Sequence, residues 1–166
     1  TVGGSAMPAA LIAKFAEAGK FDLNASDASD LARLLTVLGV DEAKARSLSG
    51  AIQDWRDADS LLAVSGGAED RDYFSAGRPY GAKDQPFTTL SELQQVLGMD
   101  EATYRLLVPH VTIFPARPKP DPGFAQMPVL QALGMGADQA SLLISLREAW
   151  RPGLPPPLLP GGATLA

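Results

Sequence analysis

Six carboxylates fall within the stretch Asp54–Phe74, on either side of a glycine turn. Asp54, Asp57 and Asp59 come first, then an apolar run and Ser65-Gly66-Gly67, then Glu69, Asp70 and Asp72. Two acidic arms joined by a flexible turn can close on a hard cation. Calcium takes roughly six to eight oxygens from carboxylates, carbonyls and water, whereas magnesium prefers a tight octahedron with retained water. The chain has no cysteine and one histidine, His110, so any metal in this stretch is held through oxygen. The spacing of the acids is not that of an EF-hand. On composition alone a cation site and a solvated acidic loop both remain open. Asp57 and Glu69 could also serve as an acid–base pair. No nucleophile motif, phosphate loop or histidine beside an acid accompanies them, and the chain is expected not to be an enzyme.

The elements around this stretch are marked in the sequence. Ala45, Leu48, Ile52 and Trp55 fall at helical spacing from Asp41 onward, so Trp55 is expected on the last apolar turn. The C-terminal end of a helix carries partial negative charge, which makes Asp54, Asp57 and Asp59 unfavourable there without a counter-charge. Beyond Asp57 the chain reads as one irregular insertion to about Pro86. Loops longer than about 12–15 residues are uncommon in compact domains unless they are functional. Tyr73, Phe74 and Tyr80 are expected to pin this loop to the domain, with Arg56, Arg71 and Arg78 as its counter-ions.

Three segments repeat one pattern. They are Leu35-Thr-Val-Leu-Gly-Val-Asp-Glu, Leu93-Gln-Gln-Val-Leu-Gly-Met-Asp-Glu and Leu130-Gln-Ala-Leu-Gly-Met-Gly-Ala-Asp. Gly39, Gly98 and Gly134 suit the left-handed position that ends a helix. Val40, Met99 and Met135 would fold back on the core. Asp41 and Asp100 would cap the next helix. The pattern predicts three helical hairpins. Thr89 and Glu92 have capping-box spacing, and residues 11–18 read as helical. Strand signal is confined to Phe21-Asp-Leu-Asn and Val111-Thr-Ile-Phe, and Pro115–Pro122 reads as an extended linker. Asn24 suits a cap or a turn, and His110 a structural position.

The bulk composition excludes some classes. The 166 residues carry a net charge of −5, which disfavours a phosphate backbone as partner. Helix-hairpin-helix modules often bind DNA, but acids at Asp41, Glu42, Asp100 and Glu101 would face the phosphates. No stretch approaches the roughly 20 apolar residues of a membrane span.

Several motifs resemble one family. FDLNAS at 21–26, AIQDWRDAD at 51–59, GAEDRDYF at 67–74, RPYGAKDQPFTTLSELQQVLGM at 78–99 and YRLLVPHVTIFP at 104–115 occur in that order. Together they resemble the K-type minor pseudopilin of the type II secretion system, general secretion pathway protein K. The resemblance implies a mainly α fold: helical hairpins of the SAM-like or helix-hairpin-helix-like kind, a long metal-stabilised loop, and at most a few short strands from a pilin-like sheet. It implies a structural calcium at Asp57, Asp59, Glu69 and Asp70, with Asp54 and Asp72 as additional candidates. It implies a periplasmic location, with anchoring in the inner membrane of a Gram-negative bacterium by a helix absent from this sequence. It implies the minor pseudopilins I and J as partners, secreted exoproteins as further candidates, and no nucleic acid. The implied role is to cap the pseudopilus tip and help initiate its assembly for the export of folded proteins. The alternative is a calcium-stabilised helix-hairpin-helix binding module for a protein or, less readily, DNA.

The expected organisation follows. Residues 1–20 read as the end of an N-terminal helical segment or a cloning scar. Residues 21–115 form a helical domain holding hairpins 1 and 2 and the acidic loop 57–86. Residues 116–151 form the third hairpin, and 152–166 a Pro/Gly-rich tail. Two positions depart from the family pattern: Lys119-Pro-Asp-Pro-Gly introduces the third hairpin, and Asp84 stands where the family often has Asn.

Overall fold

Leu31, Leu34 and Leu35 recur at the spacing that buries one face of a helix, as do Leu48, Ile52 and Trp55, and these two faces build the core. In a computed structural model, which describes residues 17–57, 70–78, 80–114 and 119–150, helix α1 spans Ala28–Val37 and α2 spans Glu42–Arg56. The two pack against each other, and α1 also packs on the third hairpin, formed by α5 (Met127–Ala132) and α6 (Ala137–Ala149). Between them lie α3 (Asp70–Ser75), a 3-10 helix (Leu90–Gln95), α4 (Glu101–Leu107) and a 3-10 turn (Val108–His110). Two two-residue strands, β1 (Phe21–Asp22) and β2 (Val111–Thr112), pair in parallel, Phe21 opposite Val111 and Asp22 opposite Thr112. The fold is therefore mainly helical, with the two strands where the sequence places them. Among the described residues no helix is long and apolar enough to cross a membrane. Residues 1–16 and 151–166, and residues 115–118 of the 115–122 linker, lie outside the described residues.

The first and third hairpins turn in the same way. Gly39 (φ 98°) and Gly134 (φ 101°) are left-handed. The Val40 amide donates to the Leu35 carbonyl at 2.9 Å and Gly39 to Thr36 at 3.0 Å. Met135 repeats the first bond to Leu130 at 3.1 Å and Gly134 the second to Gln131 at 3.0 Å. These paired bonds satisfy the carbonyls that a helix end leaves open. Asp41 Oδ2 accepts from the Lys44 amide at 3.1 Å, and Asp100 Oδ1 from the Thr103 amide at 2.7 Å, so both act as N-caps. In the third hairpin the Gln139 side chain accepts from the Gly136 amide at 3.3 Å.

The second hairpin differs. Gly98 is left-handed (φ 90°), but the segment before it is a 3-10 helix that ends at Val96, whose backbone is extended (φ −65°, ψ 132°). The Leu97 amide donates to the Tyr73 hydroxyl at 2.9 Å instead of to a helix carbonyl. A long-range contact has replaced the last turn.

Candidate functional site

The acidic stretch begins on α2. Asp54 is buried, only 2% exposed, on the same turn as Trp55. Asp57 follows the helix: its amide donates to the Gln53 carbonyl at 3.0 Å, and its carboxylate lies 3.7 Å from Arg56 Nε. Asp70 opens α3 and Asp72 stands within it. Asp59 and Glu69 lie outside the described residues, as does the side chain of Asp70. Among the described residues, no three acidic, histidine or cysteine side chains are grouped closely enough to hold a metal.

The two acidic arms are nevertheless brought together. Trp55, from the first, packs on Tyr73, from the second, with ring centroids 5.8 Å apart. Tyr80 completes the cluster, 6.2 Å from Trp55 in an edge-on arrangement and 5.8 Å from Tyr73. Such pairs contribute beyond the apolar area they bury. Tyr73 is fully buried, and this burial pushes its hydroxyl up to about 12, against the hydrogen bond from Leu97 and with the nearby Asp54 adding to the rise. It is neutral at every ordinary pH. Arg78 Nη1 donates to the Tyr80 hydroxyl at 2.6 Å, with its guanidinium 5.9 Å from the ring centroid.

Two expectations are corrected here. The insertion 57–86 is not wholly irregular, since α3 lies inside it. Tyr73 and Tyr80 pin it as expected, but Phe74 is 63% exposed and does not. Successive residues of a short helix face different ways, and of this pair Tyr73 turns inward. Arg56 serves Asp57 and also donates to the Leu23 carbonyl, whereas Arg78 is committed to Tyr80.

The far side of the loop is fixed by residues whose roles were only partly legible. Glu92 Oε2 accepts from the amides of Thr88 and Thr89 at 2.7 and 2.9 Å and from the Thr88 hydroxyl at 2.7 Å. Its Oε1 pairs with Lys83 Nζ at 2.7 Å, and Trp55 Nε1 points at it from 3.5 Å. Burial alone would raise this carboxyl, but Lys83, Thr88 and Thr89 outweigh it and hold it at about 2. Asn24 clamps the next residue: Nδ2 donates to the Phe87 carbonyl at 3.1 Å, and Oδ1 accepts from the Phe87 amide at 2.6 Å. Asp84 has φ 59°, a left-handed position that Asp and Asn tolerate better than most residues. Its amide donates to the Trp55 carbonyl at 2.8 Å, tying the loop to the end of α2.

The hairpin turns are poorly disposed toward nucleic acid. Asp41 and Asp100 occupy amides that phosphate binding would need open. Lys44 is paired with Asp100, joining the first two hairpins, and this pairing holds the Asp100 carboxyl at about 2.

A family profile described as "Type II secretion system (T2SS), protein K" matches residues 13–116. The chain belongs to the type II secretion system protein K family. Protein K of Dickeya chrysanthemi is 35% identical over 130 residues, which cover 72% of this chain and 35% of that protein. Protein K of Pseudomonas aeruginosa is 33% identical over 124 residues, covering 69% of this chain and 37% of that protein. The chain thus spans about a third of the length of these protein K relatives. The fold is also similar to a chain in the crystal structure of the GspK-GspI-GspJ complex from the enterotoxigenic Escherichia coli type 2 secretion system. The TM-score is 0.64 at 24% identity, covering 75% of this chain and 49% of that one.

Proposed function

We propose that this chain is the helical region of a K-type minor pseudopilin, a non-enzymatic assembly protein that acts with the minor pseudopilins I and J at the tip of a periplasmic pseudopilus. The family match over residues 13–116 carries this reading. The role is geometric: a bulky helical domain on the terminal subunit leaves no room for another subunit above it, so it caps the filament and helps initiate assembly. The full-length protein would be anchored in the inner membrane, with this region in the periplasm. Contact with secreted exoproteins belongs to the same proposal. In a strain lacking protein K, the full-length protein carrying this region should restore export, and the same protein with residues 21–149 deleted should not. Equal export by both would overturn the assignment of the role to this region.

The same reading places a structural calcium at Asp57, Asp59, Glu69 and Asp70, with Asp54 and Asp72 as additional ligands. Two features support it. The donors are all oxygen, as a hard cation requires. Asp57 and Asp70 also flank the segment 58–69, on elements that the Trp55–Tyr73 contact holds together. When bound, calcium would neutralise the acids and fix the loop. Melting temperature should rise with calcium over EGTA, less so with magnesium, and the calcium effect should vanish in Asp59→Ala and Glu69→Ala. A calcium response retained in both variants would refute this ligand set.

A further inference from the structure

A groove of about 400 Å³ runs between α1 and α2. Small side chains line it, among them Ala28, Ala32, Ser29 and Ser49, so another backbone can approach closely. Arg33 and Arg46 also line it. Glu42 lines it as well, paired with Arg46, so the groove lining carries two guanidiniums against one carboxylate on a chain of net charge −5.

Neither arginine is firmly engaged. Arg33 is 60% exposed, and its nearest carboxylate, Asp30, lies 3.9 Å away. That carboxylate is already held by Lys119 at 2.6 Å, and among the described residues Arg33 forms no hydrogen bond. Arg46 donates to Glu42 at 2.8 Å, one turn away on the same helix, with both side chains mostly exposed. An exposed pair of this kind is weak and readily exchanged. A guanidinium presents a fixed fork of donors suited to a carboxylate.

We infer that the α1–α2 groove is a docking site for a segment of a partner polypeptide that carries a carboxylate flanked by small apolar side chains. The carboxylate would engage Arg33 and displace Glu42 from Arg46, and the flanking residues would cover Ala28 and Ala32. Charge complementarity selects this occupant over an apolar helix, which would leave Arg33 without a carboxylate of its own, and over a basic segment, which the arginines would repel. The inference is independent of the calcium site.

The test is amide chemical-shift titration of the protein with acetyl-Ala-Ala-Asp-Ala-Ala-amide and with its Asp→Asn analogue. The Asp peptide should give saturable shifts confined to α1 and the first half of α2. Affinity should fall at least about tenfold for the Asn peptide, and similarly for Arg33→Gln, which is too exposed to disturb the fold. It should also weaken with added salt. Equal binding of both peptides, shifts centred elsewhere, or no saturable shift up to millimolar peptide would each overturn the proposal. So would sedimentation showing that the groove is instead covered by a second copy of the chain.

Discussion

Tyr73→Phe isolates the contact that ties the acidic loop to the second hairpin. The ring stays, and with it the packing on Trp55 and Tyr80. The hydroxyl goes, and the Leu97 amide loses its acceptor at 2.9 Å. Leaving a buried donor unsatisfied costs about 1–2 kcal/mol. A chain of this size loses about 2–4 °C of melting temperature per kcal/mol, so the expected drop is about 2–8 °C. Because burial holds the hydroxyl at about 12, the difference from wild type should be constant from pH 5 to 9. Tyr80→Phe is the control. It removes a bond to Arg78 at a half-buried site, where water can replace the hydroxyl, and should cost about 0.5 kcal/mol. Differential scanning calorimetry on the three proteins reads both. A Tyr73→Phe curve that overlays wild type, or a larger loss in Tyr80→Phe, would refute the argument that Tyr73 replaces the missing helical turn.

Three further outcomes follow from the same structure. The carboxyl of Glu92 is held at about 2 against a usual 4.5, so its contribution is complete above about pH 4.5 and disappears as pH falls toward 2. Glu92→Gln should lose about 1–2 kcal/mol at pH 7, after allowing for solvent screening, and thermal melts of variant and wild type should converge near pH 2–3. Burial, reinforced by Lys20, lowers the pKa of His110, so its neutral form is the folded one. Stability should be complete above the unfolded value of about 6.5 and decline below it, and His110→Gln should flatten that slope between pH 7.5 and 5.5. Gly39→Ala meets nothing within 4 Å, so its cost is the left-handed backbone alone, about 1 kcal/mol by chemical denaturation.

Local chemistry was legible in the sequence, and long-range chemistry was not. The glycine stops at 39, 98 and 134, the caps at Asp41 and Asp100, and the buried spacing of Leu48, Ile52 and Trp55 all depend on residues within a few positions of one another. Pattern reading reaches that far. The short helix before Gly98 was expected to match its counterparts and became a 3-10 helix, because Tyr73, 24 residues away, takes the Leu97 amide. Glu92 was legible as half of a capping box, but its partners Lys83 and Trp55 come from elsewhere in the fold. Asn24 looked like a local cap and instead clamps Phe87, 63 residues along the chain. Aromatic character alone groups Phe74 with Tyr73, and the helical phase of α3 separates them. For the acidic stretch, the structure contributes the pairing of the two arms through Trp55 and Tyr73, while Asp59 and Glu69 fall outside the described residues.

If this helical region belongs to a pseudopilin that assembles with I and J, the three proteins should form one complex. The most direct measurement is co-purification of the periplasmic part of the full-length protein with the periplasmic parts of its own I and J pseudopilins, read by size-exclusion chromatography with light scattering. A single species of one K, one I and one J is expected. Elution of K apart from an I–J pair at micromolar concentrations, with calcium present, would contradict it.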